Sequence, residues 1–438
     1  MATKEITTNS PLAQAMPPAS TTANYARPLA IVTTLFFVWG FLTCLNDILV
    51  PHLKSIFDLS YARAMLIQFA FFSAYFLFSV PWSKAVNGIG YQKTMVIGLL
   101  TMGAGAFLFL PAASAASYPL FLTALIILAA GITGLQVSAN PYVVVLGKPE
   151  TASSRLDLTQ AFNSLGATVA PKIGGLLILS AAPLATEQLR QISPGALQAY
   201  RIQQAASVKM PYTVIGFALV IIAVVIGSLK LPTIDQAQCR RRENVNDSIW
   251  RHRNLILGAM GIFAYVGAEV SIGSFLVNYF GLPAIAGLSA KTAAGYVSFY
   301  WGGAMIGRFI GAGLLQKIKA PKLLAICTVC AATLVVTSML TSGHMAMWSI
   351  LAVGLFNSIM FPTIFSLGVA ELGPLTGSGS GILNMAIVGG AIIPVIQGAI
   401  ADQFGLHHGF FLPVMCYLYI LFFALSGSKP NSERLARA

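Results

Sequence analysis

Twelve apolar runs follow one another between residues 28 and 427 of this 438-residue chain, and each is long enough to supply the roughly 20 residues that a membrane-spanning helix needs. They fall at 28–50, 62–83, 94–113, 117–146, 157–182, 210–231, 254–281, 288–315, 322–340, 345–370, 378–401 and 409–427. Hydrophobic residues make up 56% of the chain and charged residues 9%. A soluble domain carries about 25% charged residues, so this chain cannot clothe itself in a polar surface. An integral membrane protein is the only class that fits, and in hydrocarbon its backbone must satisfy itself within helices.

The 26 Lys+Arg against 13 Asp+Glu would suggest a nucleic-acid partner on a soluble protein. Here their placement sets topology instead, and no nucleic acid is expected. Eighteen basic residues fall in the N-terminus, the second-to-third, fourth-to-fifth, sixth-to-seventh and eighth-to-ninth loops and the C-terminal tail. Six fall in the other loops; Lys172 and Arg308 lie within spans. Positive charge marks the cytoplasmic side, which predicts both termini and the central loop in the cytoplasm. The polar N-terminus is too long for a cleaved signal peptide, and the first apolar run is expected to stay as a helix. The expected organisation is a disordered tail over 1–26, a six-helix bundle over 27–231, a cytoplasmic linker over 232–253 with Arg240, Arg241, Arg242, Arg251 and Arg253, a second bundle over 254–427, and a tail over 428–438.

Polar groups inside the spans carry the chemistry, because each is costly in hydrocarbon. Asp47 lies close to the end of FFVWGFLTCLNDILV and closes a stripe of Trp39, Thr43, Asn46 and Asp47, spaced to share a helix face. Glu269 follows Tyr265 by four. A buried carboxyl group can act as a reversible proton carrier, and both acids read as coupling candidates. Arg308, in GRFIG, reads as a snorkelling or structurally paired cation, with a substrate role as the alternative. Lys172 lies too deep to snorkel easily and on the face opposite Asn163, and reads as a structural partner. Gln136 and Asn140 are four apart, Gln160 and Asn163 three apart, Asn357 and Phe361 four apart, and Asn384 stands in the eleventh span. Any one could be an interhelical hydrogen bond. Together with Trp39, Tyr265, Trp301 and Phe361 they describe a cavity of amides and aromatic faces, suited to a hydroxyl-rich ring. Of the five cysteines, the CTVC at 327–330 has no companion ligands and reads as membrane-core filling. No phosphate cradle, metal cluster or nucleophilic triad appears, so neither an enzyme nor a cofactor is expected.

The halves echo each other: GIGYQKTMVIG follows the second span and GAGLLQKIKAPKLLAI the eighth. Six plus six spans with matching loops resembles the major facilitator superfamily, whose halves are repeats around a midplane site. The runs WGFLTCLNDILVPHLK, LQVSANPYVVVLG, LDLTQAFNSLGA, YVGAEVSIGSFLVNYF and FPTIFSLGV resemble, more narrowly, its fucose–proton symporter family, and most of all the bacterial glucose/galactose permease branch, which includes N-acetylglucosamine permeases. The resemblance implies an all-α protein of two six-helix bundles related by a pseudo-two-fold axis, a monomer in a bacterial inner membrane. It implies import of a neutral hexose or N-acetylglucosamine with a proton; a sodium-coupled carrier, an uncoupled facilitator and a membrane sugar sensor are the alternatives. Asp47 matches the family's first-span aspartate and Gln160 its fifth-span glutamine. Gln136 replaces the fourth-span glutamate, Glu269 a seventh-span glutamine, Phe361 a tyrosine, and Thr43 and Cys44 two asparagines. Those departures argue against L-fucose as the substrate.

Overall fold

The computed structural model describes residues 25–57, 61–178, 193–232 and 248–429, with some side chains in those stretches left undescribed. Its regular structure, among the described residues, is entirely helical. The first five spans are the helices Ala26–Phe57, Tyr61–Ile89, Tyr91–Ser114, Tyr118–Val145 and Ala152–Ile178. A short helix, Pro194–Ala206, precedes the sixth span, Lys209–Ser228. The seventh, eighth and ninth are Arg253–Gly281, Ala290–Leu314 and Ala320–Leu340. The last three are interrupted. The tenth breaks into Gly343–Asn357 and Met360–Gly368; the eleventh comprises Thr376–Met385, a 3₁₀ turn at Ala386–Val388, and Gly389–Phe404. The twelfth runs through Leu406–Gly409 and Phe411–Phe422 into a π turn at Phe423–Gly427. These match the twelve runs expected from hydropathy, the first two helices extending further at their C-terminal ends. Nine stretches, among the described residues, are long and apolar enough to cross a membrane. Exposed Phe217, Ile221 and Val224 of the sixth span are what lipid contact requires of an outward face.

Helices here approach closely at small residues. A side chain at Gly40 would strike the Asn163 backbone carbonyl, which fixes the first span against the fifth. A side chain at Gly354 would strike the Tyr300 carbonyl, and so seats the tenth span on the eighth.

Spans one to six form one half and seven to twelve the other. The two meet along a seam on the face where the first helix begins and the twelfth ends. There Asn87 Nδ2 donates to Ser378 Oγ at 2.7 Å, Ser153 and Ser366 hydroxyls lie 2.6 Å apart, and Ser154 Oγ donates to the Ala312 carbonyl at 2.6 Å. Ser380 Oγ donates to the Val137 carbonyl at 3.0 Å, and Arg308 donates to Ser164 Oγ. Thr168 Oγ1, further along the fifth span, lies 3.5 Å from Met305 Sδ. Most of these bonds lie near that one face.

Candidate functional site

The carboxyl group of Glu269 lies near the middle of the seventh span, where a helix of about 29 residues is furthest from either membrane surface. One turn earlier Tyr265, 1% exposed, donates from its hydroxyl to Glu269 Oε1 at 2.6 Å. The i, i+4 spacing alone brings the two together. Glu269 itself is half-buried, so part of its carboxylate remains open to a ligand. Its backbone carbonyl accepts a 3.3 Å hydrogen bond from Tyr300 of the eighth span. Tyr300 Oη in turn accepts from Asn357 Nδ2 at 2.9 Å, and Asn357 Oδ1 accepts from Tyr417 Oη of the twelfth span at 2.7 Å. Tyr300, Asn357 and Tyr417 are fully buried. Four helices are thus tied around one acid, and the amide at Asn357 is spent on that frame.

In the N-terminal half the corresponding polar group is an amide. Gln136, 8% exposed, donates from Nε2 to Tyr75 Oη at 2.9 Å. Tyr75 lies at the midpoint of the second span. Gln160 Nε2 lies 3.5 Å from Asn140 Oδ1, and the Asn140 amide nitrogen is buried with no partner among the described residues. Each half therefore carries a tyrosine hydroxyl against a carboxylate or carboxamide. An unpartnered buried N–H₂ is a costly group that a ligand oxygen can satisfy.

The remaining candidates are placed as follows. Asn163, half-buried, donates to the Phe36 carbonyl at 3.0 Å. Asn384 donates to the Ser380 carbonyl at 2.9 Å, while its Oδ1 is buried without a partner among the described residues. Trp39 is 3% exposed and packs on Phe36 with ring centroids 4.1 Å apart. Phe361 stacks on Phe365 at 6.0 Å. Trp301, 45% exposed, stands edge-on to Tyr300 at 5.1 Å and lies over Gly273, where an added Cβ would be 3.0 Å from Cζ2. Asn46, Asp47 and Lys172 lie in helices, but their side chains fall outside the described residues. Arg308 donates to Ser164 and, at 3.3 Å, to the Ser358 carbonyl, so it pairs structurally across the seam.

Sequence reasoning overlooked Tyr75, Tyr300 and Tyr417. Each is a tyrosine in an apolar aromatic run, and its hydroxyl was the available signal. No group of three or more potential metal ligands occurs among the described residues, and no disulfide joins Cys44, Cys327, Cys330 or Cys416.

Two helical bundles closed on one face, with an acid and amides mid-span, define a polytopic membrane transporter. The chain belongs to the Major Facilitator Superfamily, whose family model matches residues 31–393. A glucose/galactose transporter of Brucella abortus (strain 9-941) is 52% identical over 424 residues, covering 97% of this chain and 99% of that protein. The L-fucose-proton symporter of Escherichia coli (strain K12) is 35% identical over 413 residues, covering 93% and 94%. A crystal structure of the superfamily transporter FucP in the outward conformation superposes with a TM-score of 0.82 at 34% identity, covering 91% of this chain and 98% of that one. These relatives are transporters, not enzymes.

Proposed function

We propose that this chain imports a neutral hexose, glucose or galactose, together with a proton by alternating access. The observation that carries the reading is the half-buried Glu269 carboxylate, held by Tyr265 in one half, with Gln136 held by Tyr75 in the other. Hexose hydroxyls both donate and accept, so a carboxylate and carboxamides can each bind two of them, while aromatic rings cover the C–H faces. The sugar-carrying relatives give the same substrate class. Gln136, Gln160 and Glu269 are the principal ligands in this reading, with Asn46, Asn140, Asn163, Asn357 and Asn384 at or beside them and Trp39, Tyr265, Trp301 and Phe361 as apolar walls. Asn163 and Asn357 act partly as framework, since their amides are bonded within the protein.

Asp47 is the proposed proton carrier and Glu269 the sugar ligand or second carrier. The placement of basic residues supports both termini in the cytoplasm, and the bacterial sources of the relatives support an inner-membrane location. The closed seam then faces the cytoplasm. The chain works as a monomer, divided at the linker over 232–253.

The test is uptake of labelled glucose into proteoliposomes under an imposed proton gradient, with unlabelled galactose, N-acetylglucosamine and L-fucose as competitors. Accumulation above the external concentration, blocked by galactose and insensitive to sodium, supports the reading. Equilibration alone makes the protein a facilitator, accumulation driven by sodium at constant pH replaces the ion, and binding without flux makes it a sensor. Competition by N-acetylglucosamine widens the substrate to amino sugars.

A further inference from the structure

Asp157 takes no part in the site above. It lies five residues into the fifth span, about 8 Å along the helix from the seam face. Its residue is 0% exposed, and neither carboxylate oxygen has a hydrogen-bond partner among the described residues. Across the seam it abuts Gly311 of the eighth span, where a Cβ would lie 2.6 Å from Oδ2. Arg308, one turn before Gly311, acts on it through space, but the guanidinium hydrogen-bonds to Ser164 and the Ser358 carbonyl instead. From the ninth span Cys327 is within electrostatic reach. On its own helix Arg155 faces away, donating to the carbonyls of Val143, Val144 and Lys148. No charged group of the first, fourth or tenth span acts on it among the described residues.

A carboxylate that is ionised, dry and without donors is far less stable than the neutral acid in the same place. No donor that would hold a negative charge there occurs among the described residues, and the facing position is a glycine, whose lack of a side chain admits the carboxyl group but offers it nothing. Once the halves part, water reaches a residue this near the face and the ionised form becomes the favoured one.

We propose that Asp157 is a proton-binding site of the seam itself: closing the two halves over it takes one proton from water on that face, and opening them returns it. In chemical terms the Asp157 carboxylate gains a proton on closure and the carboxylic acid O–H loses it to solvent water on opening, with nothing else consumed. The closed form binds the extra proton, so it gains on the open form as pH falls, by up to tenfold per pH unit for a single site. The inference rests on the transporter reading only in requiring that the seam open. If that face is cytoplasmic, an acidified cytoplasm holds the carrier facing outward.

The experiment follows the seam and uses neither sugar nor gradient, so it can fail while sugar uptake stands, and the reverse. The five native cysteines are replaced by serine or alanine, and Ser154→Cys, which faces Ala312 across the seam, reports opening by its maleimide labelling rate. The rate is divided at each pH by that of the unfolded protein, which removes the thiol's own titration. With Asp157 in place, the corrected rate is expected to rise severalfold from pH 5 to pH 8. Asp157→Asn should flatten the profile, and Asp157→Glu should restore it. Glu269 titrates equally in all of these proteins and cancels in the comparison. Should Asp157→Asn fail to fold, Asp157→Ser is the second neutral variant. A flat profile with Asp157 present, or an undiminished slope in either neutral variant, overturns the proposal.

Discussion

The hydroxyl of Tyr265 reaches Glu269 Oε1 at 2.6 Å from one turn away on the same helix. The bond fixes the carboxylate's rotamer before any ligand arrives and leaves its other oxygen free. A hydrogen bond to a charged group contributes about 1.5–3 kcal/mol. Tyr265→Phe should therefore weaken hexose binding by roughly tenfold or more while leaving the protein folded. Equilibrium binding of labelled glucose to purified protein measures it, with size-exclusion chromatography as the fold check.

Asp47→Asn and Glu269→Gln separate coupling from binding. A carrier that has lost its proton site can still exchange sugar, because exchange needs no net proton release. Asp47→Asn is expected to abolish accumulation yet retain exchange in preloaded vesicles. Glu269→Gln is expected to weaken both through sugar affinity. The opposite pattern would make Glu269 the carrier.

On the N-terminal side, Tyr75→Phe removes the acceptor that orients Gln136. A freed amide with no other described partner loses its fixed geometry. Sugar affinity should fall severalfold, and Gln136→Ala should fall further because the ligand itself is gone. Near-unchanged affinity in both would remove the second span from the site.

Arg155 closes the C-terminal end of the fourth span, its guanidinium donating to Lys148 and Val144 carbonyls at 2.8 Å each. Helix C-termini carry unpaired carbonyls and partial negative charge, and a cation there satisfies both. Arg155→Ala should lower the thermal midpoint by several degrees while the folded fraction keeps its sugar affinity. Loss of affinity without loss of stability would contradict this.

Gly354→Ala places a methyl group against the Tyr300 carbonyl, whereas Gly302→Ala on the eighth span meets nothing within 4 Å. The first should push the tenth span off the eighth, strain the Tyr300–Asn357 bond and reduce binding. The second should behave as the unmodified protein. Parallel binding and melting curves of the pair decide it.

Twelve helices and their order were legible because a 20-residue apolar run in lipid has almost no alternative to a helix. The breaks after Asn357 and at Ala386–Val388 were not, since both lie within continuous apolar sequence and arise from packing. Glu269 stood out as a charge in an apolar run. Asp157 did not: it fell at the first residue of the apolar run, whereas the helix begins at Ala152 and packing against Gly311 buries the acid. The tyrosines that frame the site were hidden for a similar reason. Which helix a hydroxyl meets depends on how spans are arranged in the bundle, and one chain read alone does not contain that arrangement.

The hydrogen bonds described along the seam join hydroxyls to hydroxyls, amides and backbone carbonyls, with Arg308 the charged exception. Water makes bonds of the same kind with each of those groups, so parting them replaces one neutral partner with another at a net cost of about 1 kcal/mol apiece. The seam's hydrogen-bonded part is little screened by salt, which acts on exposed charges, and a ligand shifts the balance of the two access states by its differential affinity for them. Had the same positions carried buried ion pairs, removing partners from one another would have cost several times more, and the molecule would rest in one posture.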